Sequence, residues 1–177
     1  MRLAVLGMGN VLRRDDGFGP TVARRLLSRW SFPDDVAVED VGTPGLDLVS
    51  RLFGVDVVVA VDAVEGGGPA GALTTWRWHE MPAAPPGEPR VTAHEADLRD
   101  ALAAATLHGE APREAYLVGA VAHDTGDGVG LTSRVDAALE PACRAVLSIL
   151  ASHGVRATAR DGADDDGAWW HRRAAAG

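Results

Sequence analysis

The chain has 177 residues, with 25 acidic against 17 basic side chains and a formal net charge of -8. That length suits one compact domain, and 46% apolar residues can fill its core, which excludes disorder as the main state. A pI near 5.1 excludes a general nucleic-acid binder, because neutralising phosphates takes a basic surface.

No apolar run approaches the roughly 20 residues that span a bilayer. The opening Met1 to Gly7 leads into a turn without a signal-peptide cleavage pattern. The expectation is a soluble, cytoplasmic monomer with no membrane or nucleic-acid partner. Cys143 is the single cysteine, so neither an internal disulfide nor a thiolate zinc cage can form.

In chain order, Leu3 to Leu6 is a short apolar run ended by Gly7-Met8-Gly9-Asn10, which predicts a buried strand entering a tight turn. After Asp15-Asp16-Gly17, Val22, Leu26 and Leu27, with Trp30 beyond, recur at helical spacing, and Pro33 closes that helix. Val36 to Val41 predicts a second strand, Gly42-Thr43-Pro44-Gly45 a turn, and Leu46, Leu48, Val49 and Leu52 a short helix.

Asp56 to Val64 is nearly continuous in β-branched residues, as in the centre of a parallel sheet covered on both faces. Gly66 to Pro69 breaks the run, and the alternation from Ala72 to Trp78 predicts an antiparallel edge strand. Met81 to Arg90 holds four prolines and reads as a loop. A helix is expected over His94 to Leu107, a strand over Ala115 to Val121, and one final helix from Thr132 or Ser133 to Leu150.

The fold expected is therefore an α/β three-layer sandwich. It has a mostly parallel twisted sheet of about five strands, one of them antiparallel, and helices on both faces. Residues 1–157 form the single domain, and 158–177, without periodicity, are expected to be disordered.

Ligand sites in such sheets lie beyond the carboxyl ends of the strands. Asp15 and Asp16 follow the first strand, Asp40 ends the second and Asp62 the third, so they converge on one edge. His94 opens a helix near the same edge. Two carboxylates and an imidazole suit a borderline divalent ion such as nickel, zinc or iron.

The plainer reading of an Asp at a strand end or helix start is a cap or turn former. Asp62 resists it, because it interrupts a deeply apolar strand where an uncompensated charge is costly. His79, His108, His123 and His153 read as solvated, Ser133 as a helix cap, and Cys143 as a mid-helix residue near a buried face.

Gly7-Met8-Gly9 opens like a dinucleotide fingerprint, but Leu12 stands where its third glycine belongs. Arg13-Arg14-Asp15-Asp16 puts bulk and negative charge where pyrophosphate would sit.

Several motifs in register nevertheless resemble one family. Gly7-Met8-Gly9-Asn10-Val11-Leu12, Asp15-Asp16-Gly17-Phe18-Gly19, Asp40-Val41-Gly42-Thr43-Pro44-Gly45 and Asp62-Ala63-Val64 are similar to segments of the hydrogenase maturation endopeptidases. Pro69-Ala70-Gly71, His94, Val118-Gly119 and Gly130-Leu131-Thr132 follow in the same order, so the likeness spans about residues 2–152.

The resemblance implies an endopeptidase that removes a C-terminal extension from the large-subunit precursor of a nickel-iron hydrogenase after nickel insertion. The nickel is carried by the precursor, and no tightly bound cofactor of the chain's own is expected. The residues approaching that metal correspond to Asp16, Asp62 and His94. Asp16 and Asp40 are the catalytic candidates, with Asp16 able to serve as base, and Gly42 and Thr43 are the substrate-binding ones.

Asp16 stands where many members carry Glu, and its side chain reaches about 1.5 Å less. Val41 stands where glycine is common, and Ala122 to Asp127 has no close match. Two other readings share the fold: a non-catalytic metal-centre or subunit-binding maturation factor, and a small-ligand-binding α/β domain.

Overall fold

The structure, a computed structural model, describes residues 1–66, 68–80 and 93–160, without the side chains of 93–97. The main sheet is built from β1 (Leu3–Met8), β3 (Val36–Gly42), β4 (Val57–Val64), β5 (Leu73–Arg77) and β6 (Glu114–Val121). Its strand order is β3-β1-β4-β6-β5, parallel throughout except for β5 against β6. This is the three-layer architecture expected.

Strand periodicity splits the core in two. Leu3 and Val5 of β1, with Val57, Val59 and Val61 of β4, face α1 (Phe18–Arg29) and α5 (Leu139–Ser152), burying Phe18, Val22, Leu26, Leu139 and Val146. Ala4, Leu6, Met8, Val58 and Ala60 face the other way, onto α2 (Asp47–Leu52) and α3 (Ala93–Leu107), with Leu48, Leu52, Leu98 and Leu102. Both faces of β1 and β4 are covered, which is why those strands read as unbroken apolar runs.

One close approach fixes the layer that carries the site. Gly7 on β1 faces the Gly19 carbonyl, and a methyl group at Gly19 would overlap the carbonyl oxygens of Met8 and Val61. The two glycines let the start of α1 lie directly on β1 and β4, which accounts for Gly7, while Gly9 has φ of 127° and lies against the Asp16 carbonyl.

Three features differ from the sequence reading. The final helix is two helices, α4 (Ser133–Asp136) and α5, parted at Ala137 and Ala138. Pro141 supplies no N–H to the Ala137 carbonyl, and its ring would crowd that carbonyl in a continuous helix, so it suits only the first turn of α5.

Trp30 is not a continuation of α1. It pairs as β2 (Trp30–Ser31) with β7 (Thr158–Ala159) in a small antiparallel sheet, so the chain is still held at the first two residues assigned to the tail. Residues 161–177, the rest of that tail, lie outside the described residues, as does the proline-rich loop 81–90.

The last difference is Leu27, which is exposed on α1 where a core position was expected. Among the described residues, no helix is long and apolar enough to cross a membrane.

Candidate active site

The carboxyl ends of β1, β3 and β4 gather the candidate carboxylates. After β1 the chain turns through Gly9 and Asn10 into a short 3-10 turn, Arg14–Gly17, which packs on β4 and leads into α1. Asp15 and Asp16 are neighbours in that turn with opposite environments.

Asp15 is fully buried. Its Oδ1 accepts the Thr132 N–H at 2.6 Å. Its Oδ2 accepts the N–H groups of His123 and Asp124, both at 2.9 Å, and the Thr132 hydroxyl at 3.0 Å. A carboxylate so enclosed by donors is structural: it ties the turn after β1 to the loop after β6. The same seam is closed by Arg14 N–H to Gly128 O at 2.9 Å, Gly128 N–H to Leu12 O at 2.9 Å, and the Arg14–Asp124 ion pair. Segment 122–127, which had no match in the sequence reading, is therefore the wall that braces this turn.

Asp16 is half-buried and turns back toward the end of β1, where its Oδ2 accepts the Asn10 N–H at 3.1 Å. Asn10 in turn accepts the Leu12 N–H on its side-chain oxygen at 2.9 Å, closing the turn.

Asp40 lies near the carboxyl end of β3, beside β1. The register shifts between Gly7 and Met8, so that Gly7 faces Asp40 but Met8 faces Gly42, and Val41 is the extra residue of the bulge. Val41 keeps a negative φ, so a side chain fits there without backbone strain. Asp40 Oδ1 accepts the Gly42 N–H at 3.1 Å, and its Oδ2 meets the Arg24 guanidinium of α1 at 3.4 Å. The Gly42 carbonyl takes the Gly9 N–H at 2.8 Å. Together Gly9, Asn10, Val11, Asp40, Gly42 and Thr43 line an open cleft of about 300 Å³.

Asp62, 1% exposed, lies near the carboxyl end of the central strand β4. Strand alternation puts it on the face of Val58, Ala60 and Val64, which pack in one cluster with Leu98 of α3. His94 is the second residue of that helix, and its side chain lies outside the described residues. Among the described residues no group of three or more His, Cys, Asp and Glu side chains could hold a metal ion.

The other nucleophile and imidazole candidates separate from this edge. Cys143 is buried in α5, and burial pushes its thiol up to about 12, so it stays protonated. His79, His108 and His123 are exposed as expected. His153 instead is half-buried, with Nε2 3.3 Å from the Tyr116 hydroxyl. A second cleft of about 280 Å³, lined by Arg77, Trp78, Arg113 and Glu114, opens where β6 begins, at the opposite end of the sheet.

Sequence reasoning placed Thr132 only at the entry to the final helix and gave Arg24 no role, and both act across the fold. Asn10, the single asparagine of the chain, at a glycine-flanked turn, was a visible signal.

Comparison with known proteins identifies the family and supports the fold. The family model described as "Hydrogenase maturation protease" matches residues 20–149. A hydrogenase expression/formation protein, HoxM of Azotobacter vinelandii, is 40% identical over 161 residues, 90% of this chain and 77% of that protein. The hydrogenase 2 maturation protease of Escherichia coli (strain K12) is 34% identical over 166 residues, 93% of this chain and 100% of that protein. Among solved structures, the hydrogenase maturating endopeptidase HybD from E. coli superposes with a TM-score of 0.83 at 32% identity, covering 90% of this chain and 98% of that one.

The α/β fold, shared with a solved endopeptidase, and the family match together make the chain a small α/β peptidase. The chain belongs to the hydrogenase maturation protease family.

Proposed function

We propose that this chain removes the C-terminal extension of a nickel-iron hydrogenase large-subunit precursor, and that Asp16, Asp62 and His94 approach the nickel which that precursor carries. The observation that supports it most is the placement of Asp16 and Asp62 at adjoining strand ends, with α3 packed through Leu98 on the face of Asp62 and the glycine-lined cleft beside Asn10.

The nickel belongs to the substrate, and the chain carries no tightly bound cofactor of its own. Carboxylate and imidazole are ligands a borderline cation accepts, so a precursor with open nickel positions is recognised and an empty one is not.

The peptide to be cut lies along Gly42 and Thr43. Water adds to the scissile carbonyl, Asp16 takes its proton, and the same proton passes to the leaving amine. Asp40, the other catalytic candidate, acts by shaping that loop, with one oxygen on the Gly42 N–H and the other facing Arg24.

Leu12 and Leu46, close in sequence to the cleft residues Val11 and Thr43, are exposed apolar side chains that a protein partner can cover. Incubation with a nickel-loaded precursor, followed by intact-mass analysis, tests the proposal. The expected result is a single shortening at the C-terminus, and an unchanged mass overturns it.

A further inference from the structure

The outer edge of β3 leads straight into the cleft. β3 is the last strand of the sheet on that side, and its seven residues span about 23 Å at ~3.3 Å each. The Leu3 N–H donates to the Asp35 carbonyl, and Leu3, Val5 and Gly7 stand opposite Val36, Val38 and Asp40. In a parallel ladder a residue bonds to the two neighbours of the one it faces, so Ala37 and Glu39 turn their main-chain groups to β1. Val38 and Asp40 then turn theirs outward, away from the sheet.

Among the described residues no strand pairs with that edge, and its side chains leave it open. Val36 and Val38 pack into the α1 core, Asp40 pairs with Arg24 of α1, and Glu39 pairs with Arg51 of α2. Both acids are thus neutralised on the two faces of the sheet, and β3 has neither the proline nor the lysine that commonly blunts an edge. Beyond Asp40 and the bulge residue Val41 come Gly42, with open space on its side-chain side, and Thr43 of the cleft. β5, the opposite edge, lies across the whole sheet from Gly42.

We infer that this edge holds the precursor's C-terminal segment as an added strand, delivering the scissile bond to the cleft; the inference rests on the protease reading above. The occupant is an extended protein segment gripped by its main chain through the N–H and C=O groups of Val38 and Asp40. Such pairing tolerates varied side chains and fixes how far the segment advances.

Main-chain hydrogen exchange of the full chain, read residue by residue with nickel-loaded precursor kept in excess, tests this, with intact mass reporting cleavage. The Val38 and Asp40 amides are expected to exchange at least tenfold more slowly with precursor, while the Glu39 amide, already facing β1, is unchanged. A precursor bound and shortened with Val38 and Asp40 unprotected overturns the edge inference and leaves the protease reading standing. A precursor neither bound nor shortened overturns both.

Discussion

Asp15 and Thr132, 117 residues apart in sequence, are joined twice, the Thr132 N–H to one carboxylate oxygen at 2.6 Å and its hydroxyl to the other at 3.0 Å. With the His123 and Asp124 amides, this makes Asp15 the knot between the turn after β1 and the loop after β6. Its neighbour Asp16 holds one amide and lies on the cleft side. Of these two adjacent acids, one is structural and the other is the one proposed to do chemistry.

Replacing Asp15 with Asn puts an NH₂ group against amide donors and removes the charge that strengthens those bonds. The Asp15→Asn variant should lose about 2–4 kcal/mol in urea unfolding. Asp16→Asn should lose under about 1 kcal/mol, while its cleavage rate falls at least a hundredfold.

Gly19→Ala tests how the site is seated. The added methyl has no room between α1 and the Met8 and Val61 carbonyls. The expected cost is about 1–3 kcal/mol or more, seen as a lower urea midpoint, with activity falling as the Asp16 turn is lifted.

Leu46 is 87% exposed, three residues beyond Thr43, and supports no core. Leu46→Asp should leave the melting temperature within about 1 °C and raise KM for the precursor severalfold with kcat little changed.

Alkaline pH should destabilise the protein through Cys143 and Tyr116. Burial, with Glu140 nearby, raises the Cys143 thiol from 9.0 to about 12. Burial, and then the bond to Glu114, raise the Tyr116 hydroxyl. Both keep their protons longer folded than unfolded, so their contribution is complete below about pH 9 and is lost as pH rises. Cys143 alone accounts for about 2 kcal/mol between pH 8 and pH 10.5. Urea midpoints across that range should fall less steeply in Cys143→Ala.

The sheet and its layers were legible because β1, β4 and β6 carry their burial in the sequence itself, and the site edge followed from where those runs end. The break at Ala137 and Ala138 was masked by apolar spacing that continues through it, although Pro141 was in view. The β2–β7 pair has two residues on each side, too few for any periodicity.

Asp15, Asp16, Asp40 and Asp62 were all visible at strand ends, but which of them is structural was not. That depends on donors delivered from more than a hundred residues away, and His123 and Thr132 carry no local mark of it.

The most direct test of the central claim compares nickel-loaded and nickel-free precursor, each with the parent chain and with Asp16→Asn, Asp62→Asn and His94→Ala, following precursor mass over time. The account predicts that the parent shortens only the loaded precursor, and that each variant does so at least a hundredfold more slowly while remaining folded. Equal cleavage of both precursors by the parent, or parent-like rates in the three variants, would contradict it.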